Sequence, residues 1–465
     1  MLPVEKTLGF SHLSLLKDEL LSNLASLDYH EMTPIQEKSL PFMLKGDDVI
    51  AQAKTGSGKT AAFGLTILNG LQLKCFAVQS LVLCPTRELA EQVSQSLRML
   101  ARQLPHVKII NLSGGLPMRP QENSLKHGVH IIVGTPGRVQ KHLDKGTLVL
   151  DKLTLLVLDE ADKMLDMGFL EDLRVLIKKC PRKRQTILFS ATFPAELKQL
   201  AHEFMQQPHE VTVDDVADEH HIQQVVYELK PKEKFKALTE LLKHHPNDST
   251  LIFCNTKQST NEVVDRLKNE GFSAVALNGD MEQVDRDLAM IQFINQSYCI
   301  LVATDIAARG LDIEDLPLVI NYEPAHDPET HLHRIGRTGR AGKHGLAITL
   351  SSLSEDHRVA QLVSSFEVPP TFKNSTQLRS SPNAPAQPTM MTLSLNVGKK
   401  DKIRAGDIVG ALTKEGALPV EVIGKINVFA MKSYVAVNKS HAKQACQVLQ
   451  KGTIKGRRVL SQLLR

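Results

Sequence analysis

Three carboxylates directly follow one short apolar run of this 465-residue sequence. The run is Leu155–Leu158, and it continues into Asp159, Glu160, Ala161 and Asp162. Such a run predicts a strand buried on both faces of a parallel sheet, and ligands gather where these strands end. There, Asp159 could hold hydrated Mg²⁺ and Glu160 could position or deprotonate an attacking water. Asp162, taken alone, is better explained as a helix-start residue that the helix dipole stabilises.

A glycine-rich turn earlier in the chain is a candidate phosphate site. It reads AKTGSGKT and comprises Ala53, Lys54, Thr55, Gly56, Ser57, Gly58, Lys59 and Thr60. Backbone N–H groups of such a turn can surround phosphates, while the lysine reaches their terminal oxygens and the threonine helps to hold Mg²⁺. Ala53 replaces the usual first glycine. A lone match of this kind could be a chance turn, but the strand-terminal acids about a hundred residues later make chance a poor explanation.

The elements that must position these residues are short apolar runs separated by longer amphipathic segments. This alternation predicts two parallel α/β sheets. We expect a first domain over residues 1–211, a polar linker over 212–224 and a second domain over 225–366. Residues 367–391 hold five prolines without apolar periodicity, which predicts a flexible tether.

The region after the tether differs from the rest in charge. Residues 390–465 carry 14 lysines and arginines against 4 acidic residues, whereas residues 1–389 carry 42 against 47. A basic region favours a polyanionic partner such as nucleic acid, although a solubilising surface could look the same. The predicted elements over 392–465 follow the order βαββαβ, which is typical of a small ferredoxin-like or RRM-like α+β domain.

The remaining composition argues against several classes of protein. Six scattered cysteines without a C-x-x-C pair indicate neither a disulfide framework nor a zinc site. No stretch approaches the ~18 apolar residues of a membrane span, and the N-terminus lacks the pattern of a secretion signal. We expect a cytoplasmic protein without membrane contact, and a monomer by default.

The ordered motifs resemble those of the DEAD-box RNA helicases over roughly residues 8–365. Residues 159–162 spell DEAD, and the other motifs of the first half are TPIQ (Thr33–Gln36), AKTGSGKT, PTRELA (Pro85–Ala90), Gly114-Gly115, TPGR (Thr135–Arg138) and SAT (Ser190–Thr192). The second half contributes LIFCNT, Gln283 with Arg286, ATDIAARGLD (Ala303–Asp312) and HRIGRTGR (His333–Arg340). The resemblance implies two tandem RecA-like domains that use ATP and Mg²⁺ to separate RNA duplexes locally.

The resemblance also implies nucleotide contacts. Gln36 would read the adenine edge, and Phe10 would stack on the adenine ring unless it is only a core anchor. Gly310 and Asp312 would contact the nucleotide, with Asp312 at the ribose. Catalysis would rest on Lys59, Asp159, Glu160, Arg337 and Arg340.

The two arginines would act from the second domain. Arg337 and Arg340 would enter the ATP site of the first domain as arginine fingers when the domains close, although a solvated basic helix face is the simpler explanation of their spacing. Ser190 and Thr192 would link the ATP and RNA sites, and His333 would join the network between domains. As bare residues, Ser190 and Thr192 could merely cap a helix.

RNA contacts are implied at matched motif positions in both domains. These positions are Arg87, Gly115, Thr135, Arg138, Thr256, Gly279, Gln283, Arg286 and Thr304. Backbone amides and arginines suit phosphates, which set register without reading sequence.

The basic tail contains the segments NVGKKDKIRAGDIVGAL, IGKINVF and SYVAV, and with them it resembles the RNA-binding domain of a group of bacterial DEAD-box proteins. This implies a hairpin of 23S ribosomal RNA as target and pre-50S particles as partners. RRM domains stack bases on aromatic residues, but here only Tyr434 stands at an expected position. We therefore expect RNA at the loop and helix start that contain Lys399, Lys400, Lys402 and Arg404, with Lys425, Lys432, Arg457 and Arg458 as weaker candidates. Any one of them could instead be a solvated surface charge.

Two other functions remain open from the sequence. A helicase of this kind could act on messenger RNA or cold-shock structures, or the chain could be an ATP-gated RNA clamp whose hydrolysis is incidental. Lys59, Glu160, Arg337 and Arg340 are all present, which favours turnover over a clamp.

Overall fold

The fold is described from a computed structural model. It covers residues 8–53, 56–115, 117–213, 222–247, 249–308, 315–339, 344–364, 368–415 and 418–464. The described residues up to 213 form one compact unit, and those from 222 onward, leaving aside the gaps, form a second. Within these ranges, no helix is long and apolar enough to cross a membrane.

The first unit is built on a seven-stranded parallel sheet. Its strands are β1 (Val49–Gln52), β2 (Ser80–Leu83), β3 (Ile109–Leu112), β4 (Ile131–Gly134), β5 (Leu155–Leu158), β6 (Gln185–Ser190) and β7 (His209–Thr212). They lie in the order β3-β4-β2-β5-β6-β1-β7. β6 and β1 are neighbours, and the chain continues from β6 to β7 on one side and from β1 to β2 on the other, which places a topological switch point at the ends of these two strands.

Helices cover both faces of this sheet. They are α1 (Asp18–Ser26), α2 (Pro34–Lys45), α3 (Lys59–Gly70), α4 (Arg87–Leu100), α5 (Met118–Lys126), α6 (Pro136–Asp144), α7 (Ala161–Asp166), α8 (Leu170–Lys178) and α9 (Ala195–Phe204). Successive strand residues point to opposite faces, so Leu155 and Val157 enter one hydrophobic core while Leu156 and Leu158 enter the other. Burial on both faces explains why these strands are continuously apolar.

The second unit contains a seven-stranded parallel sheet of the same design. Its strands are β8 (Ile222–Leu229), β9 (Thr250–Cys254), β10 (Ala274–Leu277), β11 (Ile300–Thr304), β12 (Leu318–Asn321), β13 (Gly345–Ser352) and β14 (Thr371–Asn374). Their order is β10-β11-β9-β12-β13-β8-β14. The accompanying helices are α10 (Lys234–His244), α11 (Lys257–Asn269), α12 (Gln283–Ile294), α13 (Asp305–Ala308), α14 (Pro328–Ile335) and α15 (Asp356–Val363).

The C-terminal region forms a small α+β fold within the second unit. Its elements are β15 (Met390–Leu395), α16 (Ala405–Gly410), β16 (Ile423–Val428), β17 (Ser433–Asn438), α17 (Ala442–Lys451), β18 (Thr453–Ile454), β19 (Arg457–Arg458) and β20 (Ser461–Leu463). An antiparallel sheet in the order β16-β17-β15-β20 packs on the two helices. The predicted fold class, two RecA-like domains followed by an RRM-like domain, is confirmed.

The structure differs from the expected tether. Residues 371–374 form β14, which pairs with β8 as the seventh strand of the second sheet. Three later residues donate hydrogen bonds of 2.6–3.0 Å to α10 and to the turn after α11: Ser381 to Glu240, Asn383 to Lys243, and Gln387 to Gly271. The segment is therefore held along the second domain by the backbone N–H of Ser381 and by the side-chain amides of Asn383 and Gln387.

The first linker is also shorter than expected. β7 ends at Thr212 and β8 begins at Ile222, so residues 222–224 belong to the second sheet. The polar residues Gln223 and Gln224 interrupt the apolar pattern after Ile222, so the sequence did not reveal that the strand begins before Val225.

Candidate functional site

The carboxyl ends of β1, β5 and β6 bring together the residues predicted to bind and hydrolyse nucleotide. These strands are neighbours in the first sheet, in the order β5-β6-β1. The phosphate loop follows β1, Asp159 and Glu160 follow β5, and Ser190 and Thr192 stand at the end of β6. Parallel strands end at one edge, so three distant segments of sequence meet there.

The phosphate loop turns directly into α3. Gly58 has φ +92°, and a Cβ there would lie 2.5 Å from Gln36 Nε2, so only glycine fits. Lys59 is buried, and its Nζ donates to the carbonyl of Ala53 at 2.9 Å. The lysine thus bridges the two ends of the loop, with Thr60 next to it in the first turn. Lys54 and Thr55 lie outside the described residues.

The TPIQ segment holds the same loop from the side. Thr33 and Gln36 form a capping box at the start of α2. Thr33 Oγ1 donates to Ser57 O at 2.7 Å, and Gln36 Nε2 donates to Gly58 O at 3.0 Å. Gln36 therefore lies against the phosphate loop, and each end of its amide keeps capacity for one more hydrogen bond.

Phe10 lies in the hydrophobic core of the first domain and is 3% exposed. This is the position that a core anchor requires. Stacking of Phe10 on adenine stays a prediction.

Asp159 is a buried acid with an unusual pKa. It is 2% exposed, and its Oδ1 receives no hydrogen bond from any residue that the structure describes. Burial raises its pKa to about 6, although the positive charge of Lys59 opposes the shift. A buried carboxylate oxygen that receives no hydrogen bond from the described residues is suited to a hydrated Mg²⁺.

Glu160 has a strained backbone conformation and lies next to Lys163, which directly follows the DEAD segment in the sequence. Its φ of 53° lies in the left-handed region, where a side chain other than glycine costs of order 1 kcal/mol. Its Oε1 forms an ion pair of 2.8 Å with Lys163 Nζ, and both side chains are buried. Lys163 therefore supplies the counter-charge of the predicted catalytic acid.

Asp162 lies in the first turn of α7, as predicted, and it also bonds to the residues that follow β6. Its Oδ2 accepts hydrogen bonds from the backbone N–H groups of Ala191 and Thr192, both at 2.9 Å. In return, Asp162 N donates to Ser190 Oγ at 3.1 Å. The DEAD and SAT segments are thus one hydrogen-bonded unit, which the identity of the third acid alone did not reveal.

The other half of the same sheet edge carries the residues predicted for RNA. Arg87 follows β2, Gly115 follows β3, and Thr135 and Arg138 follow β4, three neighbouring strands in the order β3-β4-β2. A Cβ on Gly114 would lie 3.0 Å from Arg87 Nη2, so the double glycine makes room for the guanidinium.

Two arginines at this half are close enough to repel each other. Burial and the charge of Arg87 lower the pKa of Arg138. Gln121 Oε1 accepts from Arg138 Nη1 at 2.8 Å, while Gln121 Nε2 donates to Ser113 O at 3.2 Å. Gln121, which the sequence did not single out, thus joins the double-glycine loop to Arg138, and a polyanion would relieve the repulsion.

The corresponding edge of the second sheet has the same arrangement. Thr256 follows β9, Gly279 follows β10, Gln283 and Arg286 begin α12 after it, and Thr304 ends β11. β10, β11 and β9 are adjacent strands. Thr256 also caps α11, because its Oγ1 accepts from Ser259 N at 3.0 Å.

Arg334 is the most heavily bonded residue of the HRIGRTGR segment, and the sequence offered no reason to separate it from its neighbours. It is 1% exposed. Its Nε and Nη2 donate to Asp305 at 2.6 and 2.8 Å, and Nη2 also donates to Asn255 at 2.7 Å. Arg334 Nη1 donates to Glu323 O at 2.8 Å. It therefore fixes the ends of β9, β11 and β12.

The remaining residues of this segment have different placements. His333 lies in α14, and Arg337 follows that helix and is buried. Arg340, Gly310 and Asp312 fall outside the ranges that the structure describes.

The basic residues predicted in the tail lie on its surface. All eight are exposed: Lys399, Lys400, Lys402, Arg404, Lys425, Lys432, Arg457 and Arg458. Arg457 Nη1 donates to Asp401 Oδ1 at 2.6 Å, which ties β19 to the turn that holds Lys399 and Lys400.

Three regions of the chain match known families. Residues 33–200 match the DEAD/DEAH box helicases, residues 233–342 the helicase conserved C-terminal domain, and residues 392–462 the DbpA RNA binding domain.

Proteins similar to this chain are found in two bacteria and in yeast. The ATP-dependent RNA helicase DbpA of Escherichia coli (strain K12) is 46% identical over 463 residues, 98% of this chain and 100% of that protein. DbpA of Bacillus subtilis (strain 168) is 36% identical, over 95% of this chain and 96% of that protein. The structure of S. cerevisiae Dbp5 bound to RNA and ADP BeF3 is similar with a TM-score of 0.71 and 30% identity, over 79% of this chain and 95% of that one. The chain therefore belongs to the DEAD-box ATP-dependent RNA helicases: it is an RNA-dependent ATPase that carries a DbpA RNA-binding domain.

Proposed function

We propose that this helicase is directed by its C-terminal domain to a hairpin of 23S ribosomal RNA and separates RNA duplexes locally during assembly of the large (50S) ribosomal subunit. It acts in the cytoplasm as a monomer. The observation that carries the enzymatic part is the meeting of the phosphate loop, Asp159 and Glu160 at one sheet edge.

When ATP binds, Lys59 exchanges one hydrogen-bond acceptor for another. Its Nζ donates to Ala53 O in this structure, and the terminal phosphates of ATP take the place of that carbonyl. N–H groups of the loop and of the first turn of α3 surround the phosphates, while Gln36 uses its remaining donor and acceptor on the adenine edge.

The ends of β5 and α3 fit a magnesium ion. Asp159 would hold the ion through the water molecules bound to Mg²⁺, and Thr60 would help to hold it. The ion would supply charge neutralisation at the β- and γ-phosphates. Glu160 orients the attacking water and accepts its proton. Lys163 stabilises the charged form of Glu160 in the buried site.

The second domain completes the site when ATP closes the two domains. Arg337 and Arg340 stabilise the charge that develops on the γ-phosphate, and Asp312 and Gly310 contact the ribose side of the nucleotide. Loss of the γ-phosphate removes those contacts, so hydrolysis favours reopening.

RNA binding is coupled to this cycle through hydrogen bonds already present in the first domain. Asp162 joins α7 to Ser190 and Thr192, so a shift at the DEAD segment moves the SAT segment. His333 is the residue of the second domain that responds to this movement of the SAT segment. RNA lies across the two sets of strand ends and is held by its phosphates.

The choice of target falls to the tail. The match of residues 392–462 to the DbpA RNA binding domain, and the similarity of the whole chain to two DbpA proteins, support the proposal of 23S ribosomal RNA and pre-50S particles as partners. The charge of the tail, 14 basic against 4 acidic residues over 390–465, supports binding to a polyanion.

ATP turnover tests this proposal. The full chain is measured with a 23S ribosomal RNA fragment, an unrelated structured RNA and DNA, beside a variant with Lys399, Lys400, Lys402 and Arg404 changed to alanine. We expect stimulation by the ribosomal fragment alone, reduced at least about tenfold at limiting RNA in the variant. Equal stimulation by both RNAs would remove the ribosomal assignment and leave the helicase.

A further inference from the structure

The outer face of the tail's sheet is buried at Thr392 and Ala436 and half-buried at Ser394 and Tyr434. Thr392, Ser394, Tyr434 and Ala436 point to this face, because β15 pairs with β17 in that register and Leu393 and Val435 point to the core. Thr392 is 0% and Ala436 1% exposed. An RRM uses this face for base stacking, so the bases need another surface here.

The second domain provides part of that cover. Thr392 Oγ1 accepts from Asn295 Nδ2 at 3.2 Å and lies 2.7 Å from Ser297 Oγ. Both partners follow the end of α12. The tail is therefore docked through the face that would otherwise bind RNA.

An aromatic residue stands exposed at the end of the same sheet. Phe429 and Met431 belong to the turn between β16 and β17 and are 41% and 58% exposed. Phe429 N donates to Lys432 O at 2.8 Å, which closes the turn. The ring of Phe429 packs edge-on against Tyr434, with 5.8 Å between the ring centroids. Tyr434 therefore supports the ring of Phe429, whose other side is open to solvent.

This turn is bonded to the basic loop. Lys399 N donates to Phe429 O at 2.8 Å, and Lys400 N donates to Ala430 O at 3.0 Å. Gly398 is essential to this approach, because a Cβ there would collide with Phe429 O. Lys399 and Lys400 are exposed, and no acidic side chain of the described residues forms an ion pair with either. An open aromatic ring and two lysines thus share one rigid surface.

We propose that Phe429 stacks on an unpaired base of the target RNA while Lys399 and Lys400 bind the flanking phosphates. Single-stranded nucleic acids are bound by this combination of aromatic side chain and positive charge. The inference rests on the proposed role of the tail in target selection. It adds that the tail recognises an unpaired nucleotide beside a duplex, not the duplex alone.

Fluorescence anisotropy with two labelled RNA hairpins tests it. One hairpin carries a single-stranded extension of five nucleotides, and the other has the same stem with a blunt end; in both, a non-nucleotide linker closes the loop, so the blunt hairpin has no unpaired base. We expect Phe429→Ala in the full chain to weaken binding of the extended hairpin about tenfold, with no change for the blunt one. Phe429→Tyr should retain binding, and Phe372→Ala, at a 47% exposed phenylalanine of β14, should have no effect.

Salt dependence separates stacking from charge. Phe429→Ala should leave the slope of log K against log salt unchanged, whereas changing both Lys399 and Lys400 to alanine should reduce it by about 1.4. Unchanged affinity of Phe429→Ala for the extended hairpin, or an equal loss for both hairpins, would overturn the proposal. Each arm compares paired with unpaired RNA, so failure of the ribosomal assignment would appear separately, as equal binding of ribosomal and unrelated sequences by the unchanged chain.

Discussion

The two parallel sheets of this protein have the same strand order and carry different chemistry. β3-β4-β2-β5-β6-β1-β7 in the first domain corresponds strand for strand to β10-β11-β9-β12-β13-β8-β14 in the second. After β1 comes the phosphate loop, but after β8 the chain continues as Lys230–Lys234 without a glycine. After β5 come Asp159 and Glu160, whereas after β12 comes Glu323, which accepts from Asn255 N at 2.6 Å and Ser259 Oγ at 3.0 Å.

The difference shows that the strand order determines where a site can form, whereas the side chains at the strand ends determine which reaction it can catalyse. At the strand ends of the first sheet, Asp159 keeps an oxygen that receives no hydrogen bond from the described residues, and Glu160 has a strained backbone. In the second sheet the equivalent polar groups are hydrogen-bonded to each other around Arg334. Changes at the first edge should therefore reduce turnover, and changes around Arg334 should reduce stability.

The largest effect expected in the second domain comes from Arg337. Arg337→Gln should lower RNA-stimulated ATP turnover by about 10³ or more, since an arginine finger contributes roughly 10³–10⁵ in rate. Steady-state turnover checks this, with Arg358→Gln in α15 as a matched control. A reduction of turnover by less than about tenfold would mean that Arg337 does not contact the charge that develops in the transition state.

Arg334 should act on stability. Arg334→Met leaves the carboxylate of Asp305 without its partner, which we expect to cost on the order of 3 kcal/mol in the free energy of unfolding of the second unit. Hydrogen exchange of β9 amides measures it. The double variant Arg334→Met/Asp305→Asn should recover part of the loss, and a double variant as unstable as the sum of the two single ones would disprove the coupling.

The raised pKa of Asp159 predicts that the stability of the first domain depends on pH. A raised pKa means that the folded state holds the proton more tightly, so this contribution favours folding at low pH and is lost as pH rises from about 4 to about 6. Relative to the unchanged chain, Asp159→Asn should gain about 2 kcal/mol between pH 4.5 and 7.5 without nucleotide. Thermal unfolding at both pH values measures it, and a difference that does not vary with pH would contradict the assignment.

The smallest expected effect concerns the docked tail. Thr392→Val removes the acceptor of Asn295 and should weaken docking by about 1 kcal/mol. Faster hydrogen exchange at β15 and at residues 295–297 would report it. Thr413→Val is the control, because Thr413 Oγ1 donates only to Val409 O in its own helix. Unchanged exchange would mean that the tail is held by other contacts.

Much of this arrangement could be predicted from the sequence, because apolar runs mark buried parallel strands and functional residues follow such runs. The placement of Lys59, Asp159 and Arg87 at strand ends follows from that rule. The βαββαβ order of the tail was equally readable, since its strands and helices differ in period.

Long-range polar contacts were not predictable in the same way. Arg334 shares a three-residue spacing with Arg337, and only the fold brings Asn255, Asp305 and Glu323 to it. β14 was hidden in a proline-rich segment because an edge strand needs one partner and little apolar pattern. The sequence did not single out Phe429 either, because its position in a turn depends on the register in which β16 pairs with β17.

The measurement that tests the central claim most directly is ATP turnover by Glu160→Gln with saturating RNA, with binding of a fluorescent ATP analogue measured on the same sample. The claim predicts binding within about threefold of the unchanged chain and turnover lower by at least about 10², because Glu160 orients and deprotonates water without holding the phosphates. Unchanged turnover would contradict it and would move the hydrolytic chemistry away from the end of β5.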